Sequence, residues 1–122
     1  MSDFNNVTIS GRLTRDGELR YTSSNTPVLS FGIASNRSWR NKQTGEWDEK
    51  ATFIDCVLYG KRAETLNDRM VKGAYVCITG SLNFEQWERD GMKRSKLSIL
   101  VDCIKVCDYG RQHQEAYEDI EF

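Results

Sequence analysis

The chain has 122 residues, of which 39% are hydrophobic and 29% charged, with a formal net charge of −1. That length suits one domain with a modest core, and the first ten residues, MSDFNNVTIS, lack the basic and apolar regions of a secretion signal. No segment approaches the roughly 20 apolar residues of a membrane-spanning helix. We therefore expect a soluble, cytosolic protein.

The charge is unevenly distributed along the chain. Residues 1–107 carry 16 Lys and Arg against 13 Asp and Glu, whereas residues 108–122 carry one Arg and five acidic residues. This asymmetry predicts a mildly basic body followed by a separate acidic tail.

Four cysteines and one histidine give little support to a metal site. The cysteines lack Cys-x-x-C spacing, and His113 lies near the tail. Structural zinc sites use closely spaced cysteines, commonly with histidine, so we predict neither a metal nor another cofactor. In the cytosol the thiols should be reduced. Cys56 and Cys77 lie in apolar runs and are expected to pack as small hydrophobic side chains.

Alternation of apolar and polar side chains predicts five strands. They cover residues 4–15, 27–38, 52–59, 74–88 and 94–107. Gly11 suggests a bulge or bend in the first strand, and Pro27 begins the second, where it interrupts no hydrogen-bond ladder. The polar segment 40–50 is predicted to be a loop or a hairpin tip. Asp90-Gly91 predicts a tight hairpin between the last two strands.

Residues 60–73 form the single convincing helix pattern. Ala63, Leu66 and Met70 recur at helical spacing, and Lys72-Gly73 is a typical helix end. Three strands, a helix and two strands predict an all-β OB-fold, a five-stranded Greek-key barrel with one helix between strands 3 and 4. Such barrels bind oligonucleotides and oligosaccharides, but the fold alone does not fix the function.

Several aromatic residues are predicted to lie outside this barrel. In the third strand Ile54, Cys56 and Leu58 form an apolar inner face, which leaves Phe53 and Tyr59 on the outer face. In the fourth strand Trp87 falls on the outer, otherwise polar face. The inner face of that strand is predicted to hold Val76, Ile78, Leu82 and Phe84.

Two further tryptophans could not be assigned by parity. Trp39 lies at the end of the second strand beside Arg37 and Arg40, and its face is open because a bulge would reverse it. Trp47, in the polar loop, either stacks on a base or is simply exposed.

Outward aromatic rings among cations are what unpaired nucleic acid requires, because bases stack on the rings while Lys and Arg follow the phosphates. The alternative is that the rings close a second core or a subunit interface, and that the cations are only solvated. The combination on one barrel favours nucleic acid. The best candidates for phosphate contacts are Arg37, Arg40, Lys61, Arg62 and Lys72.

Three segments carry a more specific signal: SFGIASNRSWRNKQTGEW, TFIDCVLYGKRAETL and KGAYVCITGSL. Over about residues 4–107 the sequence resembles the bacterial single-stranded DNA-binding protein family. The resemblance implies an OB-fold domain over residues 1–107 that forms a homotetramer and wraps single-stranded DNA without sequence preference. It also implies a cytoplasmic, nucleoid-associated protein with no catalytic residues. The bases would stack on Trp39, Phe53, Tyr59 and Trp87.

The family ends in a flexible linker and an acidic tip that recruits replication, recombination and repair proteins. Here residues 108–117 would be a short linker, in a tail whose composition predicts disorder. The tip would then be Glu118, Asp119, Ile120, Glu121 and Phe122. Glu121 stands where the family has proline. The terminal ring and carboxylate suit a pocket with a basic rim, whereas the alternative is a frayed end.

Three other functions compete with this interpretation. A primosomal OB-fold protein would also bind single strands, but such relatives resemble only the barrel and not the acidic tip. An OB-fold protein adaptor would not need outward rings and cations together. An enzyme would need an acid–base pair, a nucleophile motif or a phosphate loop, and none is visible.

Overall fold

The computed structural model describes residues 1–108, which form six strands and one short α-helix. The strands are β1 (Val7–Leu13), β2 (Glu18–Tyr21), β3 (Pro27–Arg40), β4 (Trp47–Tyr59), β5 (Tyr75–Arg89) and β6 (Met92–Asp108). Helix α1 (Lys61–Leu66) and a 3₁₀ turn (Asn67–Arg69) connect β4 to β5. Among these residues no helix is long and apolar enough to cross a membrane. The predicted linker and tip lie outside the described residues, apart from Asp108.

The sheet closes on itself. Its strands follow the order β1-β5-β6-β4-β3, and β3 pairs again with β1. The β4–β6 pairing is parallel, and the other pairings are antiparallel. A closed five-stranded barrel with one helix before its last two strands is the predicted OB-fold, which is therefore confirmed. The four-residue β2, which the sequence analysis missed, pairs with the edge of β3.

The core of the barrel comes from the inner faces of these strands. Phe31 is the largest of its fully buried side chains, and Leu29 and Ile33 on the same strand are also fully buried. Ala63 and Leu66 of α1 join the same cluster. The helix is shorter than the predicted 60–73, but the residues that its spacing placed inward are buried.

Gly11 lies where the barrel closes. It pairs with Val76 of β5, and the next residue, Arg12, pairs with both Tyr75 of β5 and Ala34 of β3. A Cβ atom on Gly11 would lie 2.5 Å from the carbonyl oxygen of Ala34. A side chain at this position would therefore push β1 away from β3, which explains the glycine in the middle of a strand.

Two long hairpins extend beyond the barrel. We call residues 35–52 of β3 and β4 the β3–β4 arm, and residues 81–97 of β5 and β6 the β5–β6 arm. Within residues 1–108 the strands of each arm pair only with each other, because β1 pairs with β3 up to Ala34 and with β5 up to Gly80, and the β4–β6 pairing begins at Asp55 and Ser98. The segment 40–50, predicted to be a loop or a hairpin tip, is thus a hairpin whose residues 47–50 are the start of β4. The hairpin tip itself covers residues 41–46, where the side chain of Asn41 accepts a hydrogen bond from the Gln43 N–H at 2.8 Å.

Three predicted core residues are exposed. Leu82 and Phe84 do share the parity of Val76 and Ile78, but they lie in the β5–β6 arm and are 41% and 59% exposed. The parity was right and the burial wrong, because no other element of residues 1–108 packs over these side chains. Cys77 is also exposed, since it alternates with its inward-facing neighbours.

Candidate nucleic-acid interface

The outer face of β4, β6 and β5 presents three of the four predicted stacking rings. Phe53 and Tyr59 on β4 are 70% and 52% exposed, and Trp87 on β5 is 42% exposed. The strand β6 lies between β4 and β5 and pairs with both. The alternation of side chains therefore places the rings as the sequence predicted. Their contact with bases stays a prediction.

Trp39 lies on the other side of the β3–β4 arm. It pairs with Asp48 and has the parity of the buried Phe31 and Ile33. The arm extends past the barrel, so the ring is exposed all the same, and the guanidinium carbon of Arg37 lies 5.9 Å from its centroid. That distance permits a cation–π interaction.

Trp47 is the ring that sequence reasoning left undecided. It pairs with Arg40 at the end of the arm, has the parity of Phe53 and is exposed. Treating residues 47–50 as strand would have identified it, because parity could then be counted back from Phe53.

The five predicted phosphate contacts do not form one group. Arg37 and Arg40 lie on the exposed β3–β4 arm, and Lys61 begins α1. Arg62 donates a hydrogen bond from Nη2 to the carbonyl oxygen of Ile104 at 2.7 Å, which ties the helix to β6. Its guanidinium therefore has a structural partner.

Lys72, the fifth, lies in the turn before β5. Its backbone N–H donates to Oδ1 of Asp16 at 2.8 Å, so the turn is fixed while the side chain stays at the surface.

Cations of β6 that the sequence analysis did not select lie beside Trp87. Arg94 pairs with Trp87, and the ammonium of Lys96 lies 5.9 Å from its ring centroid. An open pocket of about 220 Å³ is formed there by Gln86, Trp87, Glu88, Lys93 and Arg94. The Asp90-Gly91 turn fixes the register of this hairpin, so counting outward from it would have paired Trp87 with Arg94.

Ion pairs link the cations of the outer face to carboxylates. Nη2 of Arg15 lies 3.7 Å from Oδ1 of Asp55, and Nζ of Lys96 lies 3.4 Å from Oδ2 of the same residue. Lys96 also lies 3.7 Å from Oε2 of Glu85. The surface therefore combines aromatic rings, cations and a few carboxylates. Among the described residues no cluster of three or more His, Cys, Asp or Glu could hold a metal ion.

Comparison with known proteins decides the family. Residues 4–107 match the model of the Single-strand binding protein family. This chain belongs to that family. The single-stranded DNA-binding protein of Borreliella burgdorferi is 47% identical over 112 residues, which cover 90% of this chain and 74% of that protein. The single-stranded DNA-binding protein of Treponema pallidum is 41% identical over 106 residues, which cover 87% of this chain and 59% of that protein.

Solved structures of the same name share the fold. The deletion mutant of the single-stranded DNA binding protein from Thermus aquaticus aligns with a TM-score of 0.75 and 28% identity, over 90% of this chain and 53% of that one. The Plasmodium falciparum SSB complex with ssDNA aligns with a TM-score of 0.77 and 22% identity, over 88% of this chain and 98% of that one. At that identity the second comparison supports the fold alone.

Membership of the single-strand binding protein family confirms the resemblance seen in the sequence, and it makes this chain a binding protein rather than an enzyme. The assignment of individual site residues stays a prediction. The predicted docking tip, Glu118 to Phe122, lies outside the described residues.

Proposed function

We propose that this chain binds single-stranded DNA without sequence preference through the outer face of its barrel and its two arms. The observation that carries the proposal is the exposure of Phe53, Tyr59 and Trp87 on one outer face, next to the cations of β6. Exposed aromatic rings cost free energy in water, and stacking on unpaired bases removes that cost. The names of the bacterial relatives support the same ligand.

In this mechanism the bases and the phosphates are bound by different groups. Rings accept any base because every base has a π face, and the cations follow the backbone. Trp47 and Trp39, on opposite sides of the β3–β4 arm, would extend the path beyond the barrel. Arg37 and Arg40 on the same arm are suited to contact the phosphates between the bases stacked on these two rings. Arg62, in contrast, is held by its hydrogen bond to the barrel.

The wider role we propose is protection of single strands during replication, recombination and repair, by a homotetramer in the cytoplasm at the nucleoid. The exposed apolar side chains on the inner parity of the β5–β6 arm support assembly, since a second copy of the chain could cover them. The acidic tip would dock replication, recombination and repair proteins through the Phe122 ring and carboxylate.

The direct test of binding is a titration of the protein with oligo-dT, followed by tryptophan emission and by solution mass. We expect strong quenching and a complex of defined stoichiometry, with much weaker binding to a duplex of the same length. A barrel that serves only as a protein adaptor would show neither quenching nor a mass change, and that result would refute DNA binding.

The docking role needs its own experiment. Deletion of Phe122 alone should leave oligo-dT affinity unchanged and abolish pull-down of replication or repair proteins from host extract. Equal recovery of these partners by the deleted and intact chains would rule out the tip as a docking peptide.

A further inference from the structure

A row of alternating charges crosses the outer face. It begins at Arg15, after β1, passes over β3 to Asp55 on β4, continues to Lys96 on β6 and ends at Glu85 on β5. Register explains the row, because Asp55 pairs with Ser98, two residues from Lys96, and Lys96 pairs with Glu85. The row therefore crosses the two strands that carry Phe53 and Trp87, and each of its carboxylates lies two residues along the chain from one of these rings.

The backbone leaves room for this row at Gly32. This glycine pairs with Asp55, and a Cβ atom on it would lie 2.6 Å from Nη1 of Arg15 and 3.4 Å from Oδ1 of Asp55. The Arg15 guanidinium thus lies across β3 where any other residue would project a side chain. A side chain at position 32 would therefore displace the guanidinium of Arg15 from this row.

Lys96 lies beside a predicted stacking ring, and two carboxylates hold it. Its ammonium lies 5.9 Å from the Trp87 centroid, 3.4 Å from Asp55 and 3.7 Å from Glu85. These carboxylate oxygens lie beside the cation that a phosphate between two stacked bases would otherwise contact. The paired side chains are all between one third and three fifths exposed, so solvent weakens the ion pairs and they can exchange.

We propose that Asp55 is an internal counter-ion of the DNA-binding face, occupying the place of a DNA phosphate beside Arg15 and Lys96 in the free protein. This inference rests on the proposed function. A strand that binds must exchange the carboxylate contacts for phosphate contacts, and the carboxylate stays nearby as a like charge. Asp55 therefore lowers affinity for single strands and lowers the number of cations that act on phosphate.

The test is Asp55→Asn, which keeps the shape and an acceptor oxygen but removes the charge. We expect about two- to fivefold tighter binding to oligo-dT at ~50 mM salt, the scale of an exposed charge pair. The log–log salt slope should steepen by about 0.7, equal to one more phosphate contact on a single strand. Asp68→Asn, the same charge change on the exposed 3₁₀ turn, is the matched control and should leave the slope unchanged.

Two further variants test whether the effect of Asp55 acts through Lys96. In a Lys96→Gln background the gain from Asp55→Asn should shrink, because one of the two released cations is gone. Glu85→Gln removes the other carboxylate at Lys96 and should also tighten binding, which keeps the idea testable should Asp55→Asn fold poorly.

Three results would overturn the inference. Weaker binding by Asp55→Asn would mean that the carboxylate only orients cations for DNA, and equal gains from Asp55→Asn and Asp68→Asn would mean a general charge effect. An unchanged affinity and slope would mean that Asp55 does not face the strand. If the parent chain itself failed to bind oligo-dT, the proposed function would fall instead, so the two failures are distinguishable.

Discussion

At the scale of single residues, Trp87 is the strongest candidate for base stacking. Its ring is exposed, and it lies opposite Arg94 and near Lys96. We expect Trp87→Ala to weaken oligo-dT binding by ~1–3 kcal/mol, the range known for base–aromatic stacking in single-strand binders. Anisotropy of a labelled oligonucleotide measures this without relying on the missing fluorophore.

Trp87→Phe is the matched control, and it should keep most of the affinity because it keeps a flat ring. If Trp87→Ala and Trp39→Ala both bind like the parent, the stacking assignment is wrong.

The four thiols should differ sharply in reactivity. Burial, reinforced by the charge of Asp55, raises the pKa of Cys56 from 9.0 to about 12, whereas Cys77, Cys103 and Cys107 are exposed. At pH 8 a pKa shift of that size lowers the thiolate fraction about a thousandfold. We expect a thiol reagent to label the three exposed cysteines of the native chain and to reach Cys56 only after unfolding, as peptide mass spectrometry would show.

The same pKa shift makes the stability of the fold depend on pH. Below about pH 9 the Cys56 thiol is neutral in both the folded and the unfolded chain, so its titration does not change the free energy of unfolding there. Between about pH 9 and 12 the unfolded chain releases the proton that the folded chain keeps, and stability falls as pH rises. Labelling of native Cys56 as fast as that of Cys77 would contradict the burial.

Residue parity was the most reliable part of the sequence reasoning, and its failures share one cause. Alternation correctly placed Phe53, Tyr59 and Trp87 outside. It also put Leu82 and Phe84 on the core side, but it could not show that the barrel ends before them. Parity gives the face of a strand, whereas burial depends on whether another element covers that face.

At the scale of elements, closure of the barrel depends on a close approach between β1 and β3. We expect Gly11→Ala to lower the free energy of unfolding by ~1–3 kcal/mol, because its Cβ would lie 2.5 Å from the Ala34 carbonyl oxygen and one strand must move. A lower urea midpoint would show the loss. Thr8→Ala, at an exposed site on the same strand, should cost much less, and equal midpoints for the two variants would argue against a tight contact.

The β3–β4 arm and β2 show why the other element boundaries were missed. Residues 47–50 pair with Arg37 to Arg40 through a backbone ladder, and such a ladder needs no apolar alternation when both faces meet solvent. β2 has four residues and only partly buries Leu19, which pairs with Leu29. In the β3–β4 arm and in β2, backbone hydrogen bonds define the strand. The side-chain pattern that sequence reasoning relies on is weak there.

At the scale of the whole molecule, DNA affinity should fall with salt. Each phosphate contact on a single strand contributes about −0.7 to the slope of log affinity against log salt. We expect Arg37→Gln to reduce the slope by about that amount, measured by titration between ~50 and 200 mM salt. Arg62→Gln should leave the slope unchanged and lower stability instead, because the guanidinium bonds the Ile104 carbonyl.

A slope near zero for the parent chain would remove phosphate contacts from the proposal. Equal slope changes for the two variants would show that Arg62 also reaches the strand, despite its bond to the barrel.

Assembly into a homotetramer is the last expectation that the structure makes testable. Phe84 and Leu97 pair across the β5–β6 arm on its inner-parity side, opposite the outer face that carries Phe53, Tyr59 and Trp87. Both side chains are exposed in one chain. Apolar surface of this kind is what a subunit interface buries. Four chains of 14.1 kDa would give a solution mass of about 56 kDa, and Phe84→Glu should lower it, because a carboxylate would lose its solvation in the interface.

The matched control is Phe53→Glu, which puts the same charge on the outer face. It should weaken oligo-dT binding through the lost ring and the added like charge, yet leave the mass unchanged. A monomeric parent at micromolar concentration would contradict the tetramer. A tetramer that survives Phe84→Glu would place the interface elsewhere and leave this side of the arm free to meet DNA. The two substitutions together thus separate the surface that binds another copy of the chain from the surface that binds the strand.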